Sequence, residues 1–203
     1  MTTPAKRRTD PERAKNRRNQ VLEAAAVCFA RSGFHGASMS EISKQAGMSA
    51  GHIYNYFDSK DAIILAFVER QVEYITGTLR DLGSREDPLQ AMIDDAPRHI
   101  DEKLDPQPWH VPLEMYAEAS RNPAIADKLR QHELASRSEL LRLVRQGRER
   151  RGLAVDDFLL DGRVDTMIAY FQGLQLWRLH RLDMKREGLV EGFRVAMTAL
   201  LLT

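Results

Sequence analysis

At 203 residues, 43% of them hydrophobic, the chain can hold one large domain or a small domain joined to a larger one, and no stretch is of low complexity. Cys28 is its single cysteine, which excludes an intrachain disulfide and a cysteine-rich metal site. The net charge of +1 hides an asymmetry: residues 1–60 carry 10 Lys and Arg against 5 Asp and Glu, and the remainder 20 against 24. A basic segment on an acidic body suits a polyanion-binding head, although a basic tail without a partner fits the charge equally well.

Apolar positions recur at helical spacing from end to end, and no segment alternates like a half-buried strand. The expected fold is therefore all-α, with about nine helices. Residues 1–12 read as a basic flexible arm. The first helix is expected from about Pro11–Arg13 to Ser32, with Val21, Ala25 and Phe29 on one face and Gly33 ending it. Ser38, with Glu41 three residues on, reads as a capping box for a short helix that Gly47 stops. A third short helix starts after Ser49 and ends by Phe57. The fourth runs from near Ser59 to Leu82, with Ile63, Ile64, Phe67 and Val68 on its apolar side.

Gly83, Ser84 and Arg85 break the pattern, and Asp87-Pro88 pairs an N-cap with proline at the first helical position. Pro97 predicts a kink or a split in the segment that follows. Pro106, Pro108 and Pro112 punctuate a connection into a helix through Tyr116 to about Ser120. Asn122-Pro123 opens a long helix to about Arg151. After Gly152 come two more, at about 157–182 and 187–202.

Residues 38–57 have the organisation of a helix-turn-helix, in which Gly47 supplies the tight turn. Ile42, Ala46, Met48, Ile53 and Phe57 would face inward. The outer face of the second helix carries Ala50 and Gly51, small enough to let it sink into a major groove. His52 and Asn55 offer hydrogen bonds to base edges, and Tyr54 and Tyr56 offer hydroxyls to phosphates. Lys60 opposes the macrodipole of its own helix at a cost of about a few tenths of a kcal/mol. That placement makes sense if Lys60 grasps a phosphate, or if Asp58 and Asp61 neutralise it.

The run Ala24-Ala25, Phe29, Gly33-Phe34, Ser38, Ile42, Ala46-Gly47, Ser49, Gly51, Ile53-Tyr54, Tyr56-Phe57 and Ser59-Lys60 resembles the DNA-binding segment of the TetR family of bacterial regulators. The likeness covers about Gln20 to Phe67. It implies a three-helix DNA-binding head at 13–60 on a helical ligand-binding and dimerisation body at 61–203. It also implies that Ser38 and Ser40 touch backbone phosphates from the start of the second helix, and that Ser49 is among the DNA-binding residues. Ala50, Gly51, His52 and Asn55 would face the groove, while Tyr54, Tyr56 and Lys60 clamp phosphates. His52 departs from the Thr or basic residue that many members carry there, so no operator sequence carries over.

In the body, Met92, Trp109, Met115, Tyr116, Met167, Tyr170, Phe171 and Trp177 are the expected lining of an apolar inducer pocket. Ordinary core packing accounts for any one of them singly. Glu114 and Glu118 share a helix face with Tyr116, and turned inward they would favour a lipophilic cation. The last two long helices are apolar on more than one side, which suits a homodimer. No metal spacing, phosphate loop or nucleophile elbow is present, so neither a metal, a cofactor nor catalytic residues are expected. No secretory signal or membrane span is expected either, which fits a cytoplasmic protein that reaches the nucleoid on DNA. The sequence thus points to a repressor that a small hydrophobic ligand releases from a palindromic operator. An activator, a nucleoid protein and a helical enzyme remain the alternatives.

Overall fold

The computed structural model describes residues 11–105, 110–181 and 183–203. These form ten α-helices and no strand among the described residues: α1 (Pro11–Gly36), α2 (Met39–Gln45), α3 (Ala50–Ile53), α4 (Lys60–Ser84), α5 (Pro88–Asp94), α6 (Ala96–Leu104), α7 (His110–Ala119), α8 (Pro123–Arg150), α9 (Asp157–His180) and α10 (Arg186–Leu202). The expected all-α class holds. The extra helix arises where Pro97 sits: the chain stops after Asp94 and restarts at Ala96, with proline in the first turn of α6. Asp87 accepts a hydrogen bond from the Gln90 N–H, and Asn122 accepts one from the Ala124 N–H, so both cap-plus-proline signatures start helices.

The chain divides into two compact units at three places, two of them inside helices, α4 and α8, and the third at the start of α7. The described part of the first unit is residues 11–68 and 110–126, so it contains α1 to α3, the start of α4, α7 and the start of α8. Its core is built from Val21, Leu22, Ala25, Cys28 and Phe29 of α1, with Ile42, Ile53, Phe57, Ile63 and Met115. Phe29 meets Phe34 and Phe67 edge-on, at 5.5 and 6.2 Å between ring centroids. The sequence places the head within residues 13–60; in the structure the head's compact unit runs on to Val68 and takes in α7.

The second unit holds residues 69–105, 127–181 and 183–203. Its centre packs α10 on α5 and α6, through Phe193, Met197 and Leu201 against Leu89, Ile93, Ala96 and Ile100. Arg148 of α8, only 4% exposed, ends on carbonyls: Ala154 O at 3.0 Å, Leu201 O at 2.7 Å and Thr203 O at 3.1 Å. Arg163 donates to Leu200 O at 3.2 Å. The last carbonyls of α10 have no intrahelical donors, and two guanidiniums satisfy them where the helix dipole favours positive charge.

Candidate nucleic-acid interface

The helix-turn-helix rests on two N-caps. Ser38 Oγ accepts from the Glu41 N–H at 3.1 Å, while Glu41 accepts from the Ser38 N–H at 2.8 Å, which completes the capping box. The backbone hydrogen bond from Ser38, then the bond from its hydroxyl, hold the Glu41 carboxyl below its ordinary pKa. Gly47 turns the chain at φ 63°, and Ser49 Oγ accepts from the His52 N–H at 3.3 Å to start α3. Regular α3 is one turn, Ala50 to Ile53. The stretch expected to be helical as far as Phe57 goes on as tight turns, with Tyr56 N–H bonded to Ile53 O at 2.9 Å.

This short helix sorts its side chains cleanly. Ile53 and Phe57 are buried beneath it with Ile42 and Ala46. Ser38, Ser40, Ser49, Ala50, Gly51, His52, Tyr54 and Asn55 are all exposed, and Tyr56 is half-buried. A Cβ added to Gly51 would meet no atom within 4 Å, so the start of α3 is bare. His52 Nε2 lies 3.2 Å from Tyr56 Oη with the two rings stacked, so this pair presents one polar edge. Asn55 points its amide into no protein partner among the described residues.

Struts from α1 hold the turn beneath these side chains. Arg18 donates to Tyr56 O at 3.3 Å and lies 4.3 Å from the Phe57 ring centroid. Gln20 donates to Ala46 O at 2.7 Å and accepts from Arg17 at 2.8 Å. Sequence reasoning missed Arg17, Arg18 and Gln20 as positioning residues. Their only signal was polar character on an otherwise well-formed amphipathic helix.

Lys60 corrects the expectation attached to it. Its ammonium donates to Phe34 O at 2.6 Å, Ala37 O at 2.7 Å and His35 O at 3.2 Å, and lies 4.8 Å from the Phe34 ring centroid. An ammonium has three donors, and all three are spent. Lys60 thus closes the carbonyl end of α1, where a cation is favoured, rather than standing free for a phosphate. Asp58 and Asp61 are not its partners.

α7 corrects a second expectation. Glu114 accepts from the Phe34 N–H at 2.7 Å, and Glu118, 5% exposed, lies 2.9 Å from His35 Nε2. Both carboxylates therefore hold the end of α1, and the argument from them to a cationic inducer fails. Gly33 makes this approach possible: its φ of 68° breaks α1 and exposes the Phe34 N–H to Glu114.

The expected inducer lining is divided between the units. Met115 is buried and Tyr116 exposed in the first. Met92, Met167, Tyr170, Phe171 and Trp177 belong to the second, and Trp109 lies outside the described residues. In the second unit Met92 and Met167 are core, and Trp177 is half-exposed beside His180. Tyr170 and Phe171 form a ring cluster with Phe193 and His99, whose imidazole is 4.4 Å from Phe171. Burial pushes His99 down to about 4. Among the described residues no helix is long and apolar enough to cross a membrane, and no cluster of metal-ligating side chains occurs.

A capped helix pair with a bare, polar second helix on a packed three-helix base defines a helix-turn-helix DNA-binding protein. Comparison with known proteins agrees. Residues 21–67 match the model for bacterial regulatory proteins of the tetR family. The chain is 27% identical to the HTH-type transcriptional regulator UidR of Escherichia coli K12 over 143 residues, 70% of this chain and 72% of that one. The solved structure of Salmonella enterica GusR superposes with a TM-score of 0.75 at 24% identity, covering 98% of this chain and all of that one. FadR of Bacillus subtilis, solved in complex with stearoyl-CoA, superposes at 0.73 and 18% identity over 91% of this chain and 97% of its own. Residues 21–67 therefore resemble the DNA-binding domain of the tetR family, and the chain is a DNA-binding transcriptional regulator.

Proposed function

We propose that this regulator is a repressor that works as a homodimer in the cytoplasm. It seats two copies of α3 on the half-sites of a palindromic operator and leaves when a small hydrophobic ligand enters the helical body. The observation that carries the DNA reading is the bare start of α3, where Ala50 and Gly51 allow close approach to a major groove. Asn55 and His52 would read base edges, with Asn55 suited to adenine. Ser40, Tyr54 and Tyr56 would take phosphates. Ser38 and Ser49 act first as caps, and through their position beside the groove as phosphate contacts. Lys60 contributes by holding the end of α1.

The dimer is supported by the outer faces of α9 and α10. Phe158, Leu176, Trp177 and Leu179 on α9 and Val195 on α10 are each more than half exposed. Gly162, Gly173, Gly188 and Gly192 would admit a Cβ without contact, so helices of a second copy could approach closely. Two copies are also what a pair of half-sites about 34–36 Å apart requires. The hydrophobic inducer is supported by the aromatic cluster around Phe171 and by the acyl-CoA seen in FadR.

The test is footprinting on DNA upstream of the gene, and on selected random DNA, with wild type, Asn55→Ala and Gly51→Leu. One protected palindrome, lost with Gly51→Leu and relaxed at one symmetric base pair with Asn55→Ala, is the expected result. A loss of about 1–3 kcal/mol is expected for Asn55→Ala. Sequence-blind binding in both DNA pools, unchanged in the two variants, rules the reading out.

A further inference from the structure

The C-terminal turns of α4 and α8 border a cleft of about 350 Å³, small for a ligand site but within the usual range. Its base includes Leu79 and Leu143, both buried, and its walls carry Arg80, Arg142, Arg150 and Glu139. The five α8 residues of the lining, Glu139, Arg142, Leu143, Gln146 and Arg150, fall at helical spacing on one face. Three guanidiniums against one carboxylate leave the cleft with a surplus of two positive charges.

Neighbouring arginines show what sets these apart. Arg85 pairs with Asp81 at 2.9 Å, Arg145 with Asp157 at 2.7 Å, and Arg151 with Asp87. Arg148 is spent on carbonyls. Arg142 bonds to Glu139 and to the Gln146 side chain, also on the cleft wall. Arg80 and Arg150 make no hydrogen bond or close ion pair among the described residues, although Arg80 lies near enough to Glu139 to help hold its carboxyl below the ordinary pKa, and both line the same cavity. Like charges gathered around a concave surface repel, and they focus potential on any anion that enters. Guanidinium forks match oxyanions in pairs of parallel hydrogen bonds, a geometry that ammonium groups lack.

We propose that this cleft binds a compact multivalent oxyanion, of the kind a diphosphate group presents on a small molecule. It is an anion site in the second unit, separate from the ring cluster around Phe171, and it does not rest on the operator reading. Arg80 and Arg150 take the oxyanion directly. Arg142 contributes as far as Glu139 releases it, and Leu79 and Leu143 support the remainder of the ligand.

The experiment is calorimetric titration of the full chain with inorganic pyrophosphate at an ionic strength of about 0.15 M, where exposed charges are well screened. Wild type should bind one pyrophosphate per chain. Arg80→Gln/Arg150→Gln should weaken binding at least about tenfold. Glu139→Gln should tighten it severalfold, because Arg142 gains a free fork, and a merely structural role would not move affinity in that direction. Arg85→Gln, which alters net charge outside the cleft, should change nothing. A parallel titration with citrate separates the sources: tighter binding of pyrophosphate supports a diphosphate group, and tighter binding of citrate with the same dependence on variants overturns it in favour of a carboxylate-borne one. The proposal is overturned if neither anion saturates, if Glu139→Gln weakens binding, or if Arg85→Gln costs as much as the double variant. Operator binding by the same proteins reports separately on folding and on the DNA reading.

Discussion

Replacing Lys60 by Met keeps most of the aliphatic stem and removes the ammonium, and it separates two roles that a sequence cannot. If Lys60 closes α1, three carbonyls lose their donors: Phe34 O and Ala37 O at 2.6 and 2.7 Å, and His35 O at 3.2 Å. Hydrogen bonds from a charged donor contribute about 1.5–3 kcal/mol each when well made. The site is half-exposed, so water replaces part of that, and only two of the three bonds are short. A net loss of about 2 kcal/mol follows, or roughly 4–8 °C in Tm for a chain of this size. Thermal unfolding without DNA measures it directly, alongside operator affinity over a salt series. Under the capping role the melting temperature falls while the slope of log affinity against log salt stays as in wild type. Under a phosphate-clamp role the reverse holds: stability is unchanged or gains the few tenths of a kcal/mol of relieved dipole repulsion, and the slope drops by about 1. An unshifted melting temperature with a shallower slope would refute the structural assignment.

Two further predictions concern packing and pH. Gly147→Ala should destabilise by about 1–3 kcal/mol through overpacking, because the new Cβ would lie 2.6 Å from Leu89 Cγ and 2.7 Å from its Cδ2 in the core. The same change at Gly77 in α4, where a Cβ meets nothing within 4 Å, should stabilise by about 0.5–1 kcal/mol, so denaturant midpoints should move in opposite directions. His99 is held down to about 4, first by burial and then by Lys103, with Arg98 also lowering it and Glu102 and Asp95 opposing. Its neutral form is favoured in the fold, so its contribution is intact above the ordinary histidine pKa and is lost as pH falls from about 6.5 towards 4. The unfolded chain takes up the proton first, and the loss is at most about 3 kcal/mol. His99→Phe should flatten stability across that window, and an unchanged slope would count against the burial argument.

The parts legible in the sequence were those that act over short distances. Ser38 with Glu41, Asp87-Pro88 and Asn122-Pro123 each set their own helix start, because capping depends on residues three or four apart. Pro97 announced the split for a similarly local reason: it removes a backbone donor wherever it stands. The separation of α3 and the turns after it into buried Ile53 and Phe57 and exposed Ala50, Gly51 and Asn55 followed from periodicity. What periodicity cannot give is the partner of a face. The Met115 face of α7 was visible as apolar, yet nothing nearby in the chain says that it packs on α1, 80 residues away at the Phe34–Glu114 bond. The same limit hid Lys60, whose acceptors lie 23 to 26 residues upstream. Local reasoning weighed only a DNA phosphate or the neighbouring Asp58 and Asp61.

Those two misjudged elements meet at one place. Because Gly33 breaks α1 at φ 68°, the following turn is left with a free N–H at Phe34 and free carbonyls at Phe34, His35 and Ala37. The donor is met by an anion from α7 and the acceptors by a cation from α4, each of the sign its backbone partner prefers. Glu118 adds a hold on the His35 side chain of the same turn. The residue that follows this turn is Ser38, the cap of α2. The first helix of the DNA-reading pair therefore starts from a peptide whose position is set jointly by α4 and α7, and not by α1 alone. A shift in either helix would reach the start of α2 through the Glu114 carboxylate or the Lys60 ammonium, whose bonds to the Phe34 N–H and to Phe34 O and Ala37 O are 2.6–2.7 Å long.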